Sequence, residues 1–220
     1  MDWSPLYISF TAAFYATLFS LLAGTFCAWG VTNLKGQLKA FCDCLCTLPL
    51  VLPPTVLGFF LLVIFGNKHF LGKFLTHVGM AVVFNQRATI VAATVVAFPL
   101  VYRTVRASFE QINTSIIYAA KTLGLSEWKI FYRLMVPLSL PGITAGAVLA
   151  FTRALGEFGA TMMLAGDIPG KTETIPVAIW AATESGHMER AYLWVLIILT
   201  ISFTTIMILN MLTTRSTHES

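Results

Sequence analysis

Residues 3–34 read WSPLYISFTAAFYATLFSLLAGTFCAWGVTNL, 32 positions without one charged side chain. About 20 apolar residues in a helix, at 1.5 Å rise each, cross the hydrocarbon core of a bilayer. The run therefore predicts a transmembrane span, and others follow it. Cys44–Asn67 and Ala191–Thr214 are each uncharged over 24 residues. Ala88–Tyr102 is uncharged, with Arg103 and Arg106 placed to snorkel from its end. Leu134–Thr152 is uncharged, and apolar character resumes beyond Arg153 and Glu157. Five helical spans are expected, near 6–32, 42–66, 88–109, 139–163 and 191–213. Phe74–Gln86 and Thr174–Thr183 are uncharged but too short to span, and read as interfacial or re-entrant pieces.

Composition agrees. Of 220 residues, 57% are hydrophobic and 11% charged, against about 45–50% and about 25% in soluble domains. The mean hydropathy is +0.78. A soluble enzyme, a disordered chain and a disulfide scaffold are excluded. The expected class is an all-α polytopic membrane protein, one transmembrane domain over residues 1–220. A net charge of +4 without a basic run gives no reason to expect nucleic acid. The N-terminus lacks the basic segment of a signal peptide, so the first run is read as a retained span. Cys42 and Cys46 share a helix face while Cys44 points nearly opposite, and no fourth ligand is nearby. With Cys27 they read as apolar packing. His69, His77, His187 and His218 are isolated, so neither a metal site nor a catalytic pair is expected.

Several span residues stand out. Pro49, Pro53, Pro54 and Gly58 fall in the second span, where proline removes backbone donors. Freed carbonyls are tolerated beside protein or a wet cavity, so these residues are candidates for a broken helix along a transport path, or for a merely kinked one. Gly142, Gly146, Ala150 and Ala154 form a four-residue ridge that admits a neighbouring helix, within the subunit or across a dimer. Arg153 and Glu157, four apart, face the same way near mid-membrane, either as part of an anion path or as a structural ion pair. Asp43, at the start of span two, is expected to reach water.

Residues 113–142, NTSIIYAAKTLGLSEWKIFYRLMVPLSLPG, predict a helix pair outside the bilayer. Asn113, Thr114 or Ser115 can cap the first helix and Gly124 can end it in a left-handed turn. Ser126 caps the second, with Glu127 in its first turn. Trp128, Phe131, Tyr132 and Met135 then share a face, which suits docking into a partner's groove or lying on the membrane surface. If this 110–137 loop is cytoplasmic, inside segments carry 8 Lys and Arg and outside segments 5. The positive-inside rule then favours the N-terminus outside and the C-terminus inside.

Ala119-Ala120, Gly124 and Pro137 resemble the coupling loop of ABC-importer permeases, with Tyr118 standing where that family usually has Glu. Phe151–Thr161, FTRALGEFGAT, resembles the fourth-span signature of oxyanion permeases for molybdate, tungstate and sulfate. Ile168–Pro176 and Leu48–Pro54 look most like molybdate permeases; sulfate permeases tend to have Tyr at the position of Phe158. The resemblance implies a homodimer in the bacterial cytoplasmic membrane, surrounded by lipid. Two cytoplasmic ATP-binding subunits would dock on Ala119, Ala120, Gly124, Trp128 and Phe131, and a periplasmic oxyanion-binding protein would deliver substrate. Molybdate is the expected substrate, with tungstate or sulfate/thiosulfate as the alternative. ATP and Mg would bind the partner subunit and no cofactor this chain. Ala165–Thr172, AGDIPGKT, echoes a phosphate-binding loop but lacks the strand before it.

Overall fold

The computed structural model describes residues 2–217, with side chains through residue 207. His218 and the side chain of Arg215 lie outside the described residues. Every regular element is helical: α1 Ser4–Thr32, α2 Gly36–Val51, α3 Pro54–Phe65, α4 Phe70–His77, α5 Gln86–Glu110, α6 Thr114–Thr122, α7 Glu127–Ile130, α8 Val136–Leu138, α9 Leu140–Leu155, α10 Gly159–Ala165, α11 Ile175–Glu184 and α12 Met188–Thr217. Among the described residues, three helices are long and apolar enough to cross a membrane, Ser4–Thr32, Gln86–Glu110 and Met188–Met207; counting two bent pairs as spans gives five.

The centre of the bundle is α1 against α5, and its closeness follows from residue size. The buried face of α1 carries Ser9, Ala12, Ala13, Ala16, Ser20, Gly24 and Ala28. Small side chains let backbones approach, and a Cβ on Gly24 would come within 2.9 Å of Val101 Cγ1 and 3.1 Å of Tyr102 N. The opposite face, with Phe14, Phe19 and Leu22, is exposed, as expected where lipid is the solvent. The ridge on α9 packs against the same helix: a Cβ on Gly142 would collide with Ser108, and one on Gly146 with Thr104. The ridge thus admits a helix of its own chain.

The second span breaks where its prolines predict. Pro49 stays inside α2, but the helix ends at Val51 and α3 restarts at Pro54, bent by 111°. Prolines 53 and 54 bring no N–H to continue the ladder. Tyr102 and Glu110 of α5 meet α2, whereas Leu57 and Leu61 of α3 pack with Ala88, Ala92 and Val96 of α5. The bent pair therefore follows α5 along its length.

The fourth span corrects the sequence expectation of one helix over 139–163. The helix stops at Leu155 and resumes at Gly159. Within the break, Glu157 Oε1 accepts the Ala160 N–H at 2.8 Å, which satisfies one of the free donors at the start of α10. A further bend of 73° separates the 127–138 segment from α9. The short uncharged pieces become α4 with the following loop, and α11, whose Ile175 N–H donates to Ser9 Oγ of α1 at 2.8 Å.

Candidate functional site

Three places carry the chemistry. The first is the helical hairpin after α5. Asn113 accepts the Ser115 N–H at 2.9 Å, Gly124 takes φ +78°, and Ser126 accepts the Lys129 N–H. The second helix then departs from the regular spacing read in the sequence. Residues 131–135 form a π turn in which the Val136 N–H reaches back to Phe131 O. Pro137 has no N–H to hold an α-helical register here, and π turns are single-turn insertions of this kind. The expected apolar face is consequently divided. Phe131 and Met135 are buried in the main core beside Phe109, whereas Trp128 and Tyr132 are half exposed. Phe131 lies 4.9 Å from Trp29 and 5.6 Å from Phe26, ring centre to ring centre. Ala120 is buried and Ala119 exposed. Beside Ala119 stand Ile116, Tyr118 and Leu123, the last 81% exposed.

The second place is the pair of helix breaks. Gly58 of α3 lies against α10, where a Cβ would approach Ala160 Cα to 2.9 Å. Gly159 meets Pro54 in the same way. The two breaks are thus adjacent, and Pro53, Pro54 and Gly58 gather there, while Pro49 lies a turn away inside α2. Arg153 Nη1 sits 2.8 Å from Glu157 Oε2, with Glu157 almost fully buried and Arg153 a third exposed. Glu157 therefore engages both oxygens, one on Arg153 and one on the α10 backbone.

The third place was not anticipated. Asp43, read as reaching water, is ion-paired with Arg106 and accepts the Tyr102 hydroxyl at 2.8 Å. Arg106 also bonds Glu110 at 3.1 Å, and Lys39 reaches Glu110 at 3.0 Å. Beside these groups lies a cavity of about 450 Å³ lined by Asp43, Thr47, Val51, Arg103, Arg106 and Glu110. The Arg106/Glu110 spacing of four was the signal available in the sequence.

At the other end of α5, the loop before α11 closes on Thr172, whose hydroxyl accepts the Ile168 N–H and donates to Gly166 O. The phosphate-loop echo is therefore a tight turn ahead of α11, with no strand before it. Burial raises the Asp167 carboxyl above the usual range; burial, then the charges of Asp167 and Asp2, do the same to Glu173. Among the described residues no His, Cys, Asp and Glu group is arranged to hold a metal.

Residues 20–215 match the family model described as "Binding-protein-dependent transport system inner membrane component". The chain belongs to that family. It is a multi-pass component of the inner membrane, and its relatives are transport subunits, not enzymes. The permease is 41% identical to the molybdenum transport system permease protein ModB of Escherichia coli (strain K12), over 84% of this chain and 81% of that one. It is 40% identical to ModB of Haemophilus influenzae, over 86% and 83%. The probable sulfate transport system permease protein cysT of Chlorella vulgaris is 30% identical over 90% and 74%. Among solved structures, a bacterial alginate ABC transporter in complex with a pentasaccharide-bound periplasmic protein matches with a TM-score of 0.76 and 14% identity, over 97% of this chain and 78% of that one. The MetNI methionine ABC transporter matches at 0.67 and 16%, over 97% and 93%. At these identities the structural likeness establishes the fold.

Proposed function

We propose that this chain is the permease subunit of an ATP-driven importer carrying molybdate into the cell by alternating access. The observation that carries the reading is that molybdenum permeases match at 33–41% identity over most of the chain and sulfate permeases at 30–32%. The assembly is two copies of this single-domain chain, two cytoplasmic ATP-binding subunits that hold ATP and Mg, and a periplasmic oxyanion-binding protein. The hairpin faces the cytoplasm, with the N-terminus outside and the C-terminus inside, in keeping with the distribution of Lys and Arg.

The energetics require such partners. Moving a dianion inward against 100 mV, inside negative, costs about 4.6 kcal/mol before any concentration term. The hairpin is the part suited to receive that energy. Its 113–124 arm presents Ile116, Tyr118, Ala119 and Leu123 outward, while Ala120, Phe131 and Met135 root it in the transmembrane core. Trp128 borders the docking face, Gly124 permits its reversal, and Phe131 acts as the root instead of a contact. Closure of the ATPase pair then moves α1 and α5 through that root. Pro53, Pro54 and Gly58 place a change of direction beside the path, and Arg153–Glu157 fixes the α9–α10 break as a structural pair.

The test is uptake by the reconstituted complex. Molybdate accumulation that needs ATP and the binding protein is expected, with tungstate competing. Sulfate uptake unaffected by excess molybdate would overturn the substrate, and accumulation without ATP would overturn the importer reading.

A further inference from the structure

We propose that the cavity between α2 and α5 is an oxyanion exit site whose anchoring cation is Arg103. The inference rests on the importer reading above and adds the place where the anion is last held before release.

The two helices face each other in antiparallel register. Lys39 meets Glu110, and one turn deeper Asp43 meets Arg106. Another turn deeper, Thr47 and Val51 of α2 share the cavity wall with Arg103 of α5. Arg103 lies on the same stripe of α5 as Arg106 and Glu110, at helical spacings of three and four. It lines the same cavity as Val51, the last residue of α2.

The charges in this wall are unequal in what they have left to give. Arg106 is engaged by Asp43, Glu110 and the Tyr102 hydroxyl. The Thr47 hydroxyl donates to Asp43 O in its own helix. Arg103 lines the cavity, is exposed, and makes no ion pair among the described residues. An ionisable residue within a span faces protein or a water-filled cavity, because lipid penalises its charge. At about 450 Å³, the cavity is many times the roughly 30 Å³ share of one water, so a tetrahedral oxyanion fits with part of its hydration. A planar guanidinium presents paired N–H donors to such an oxygen array. Asp43 and Glu110 nearby keep the attraction modest, which suits a site that must release its ion.

The experiment uses the full complex in nanodiscs. Cys27, Cys42, Cys44 and Cys46 are replaced by Ala or Ser, and Ala107→Cys, on the cavity wall one turn from Arg103, is labelled with an anionic thiol reagent. Molybdate, tungstate and sulfate at millimolar concentration are each expected to slow labelling, and chloride at equal ionic strength is not. With Arg103→Gln the protecting concentration should rise about tenfold or more; Arg103→Lys should fall between. Absence of protection in the Arg103 background, or equal protection in Arg103→Gln, overturns the site. Should Arg103→Gln not assemble, equal protection in Arg103→Lys and the parent is the result that overturns it. Protection by oxyanions in a complex that accumulates only sulfate would retain the site while overturning the molybdate reading.

Discussion

Trp29 of α1 and Phe131 of the helical hairpin pack with ring centres 4.9 Å apart. Trp128 lies equally close to Trp29 from the hairpin side, so one indole of the first span carries two aromatic contacts to the hairpin. Aromatic pairs contribute about 0.5–1.5 kcal/mol each beyond their buried area. The hairpin is therefore fastened to the span that packs along α5, and a push on the hairpin is transmitted to α1.

Trp29→Ala should loosen that joint while leaving the spans assembled. The expected phenotype is ATP hydrolysis poorly stimulated by the binding protein, with uptake reduced at least as far. Trp29→Phe should restore most of both. Unchanged coupling in Trp29→Ala would remove the joint from the mechanism.

The membrane class and the hairpin were legible because charge-free runs and capping residues act locally. The break at Pro53–Pro54 was legible for the same reason, since proline carries its constraint wherever it stands. Three features were hidden. Glu157 read as the partner of Arg153 at four-residue spacing, but it sits in a break between helices that hydropathy alone continues, where its second oxygen holds the Ala160 N–H. The face of Trp128, Phe131, Tyr132 and Met135 read as one stripe for docking or for lying on the membrane surface, but the π turn shifts its register and commits Phe131 and Met135 to the core. Asp43–Arg106 pairs residues 63 positions apart, which nothing in the local pattern encodes.

Glu157→Ala should destabilise the permease by about 1–3 kcal/mol, because it removes the acceptor of the Ala160 N–H and the ion-pair partner of the partly exposed Arg153. Arg153→Ala should lower assembly for the complementary reason, a buried carboxylate left unpaired. Adding Glu157→Gln to Arg153→Ala should recover assembly, and transport with it. Normal assembly of Arg153→Ala with transport abolished, unrescued by the second change, would place the pair on the anion path.

Gly58→Ala should destabilise by about 1–3 kcal/mol through overpacking, since its Cβ would press on the α10 backbone at Ala160. Gly30→Ala is the control, because a Cβ there meets nothing within 4 Å. Equal thermal stability of the two variants would show that α3 and α10 are free to separate.

Glu173 sets a dependence on pH in the loop before α11. Its folded pKa is raised, by burial first and by the charges of Asp167 and Asp2 second. The folded state therefore holds the proton more tightly than the unfolded chain. The sign is a destabilisation that grows as pH rises above the usual carboxylate value of about 4.3, and that is absent below it. Glu173→Gln should thus melt about 1–2 °C higher at neutral pH, a small gain because the group is partly solvated. The gap should close toward pH 4. A gap that is constant with pH, or reversed, would assign the stability of this loop to other groups.

Crosslinking separates the two faces of α6. Ala119 is exposed and Ala120 buried, one position apart on the same helix. In a cysteine-free background, Ala119→Cys should crosslink to the ATP-binding subunit and react with reagents applied from the cytoplasm. Ala120→Cys should do neither at a comparable rate, because its side chain points into the core shared with Ile130 and Phe131. Gly124→Val provides the mechanical counterpart. Its φ of +78° is costly for a β-branched residue, so the turn between the arms should distort while the spans hold. The Ala119→Cys crosslink should then weaken together with binding-protein-stimulated ATP hydrolysis. Labelling of Ala119→Cys only from the periplasmic side would reverse the orientation of every span and remove the hairpin from coupling at once.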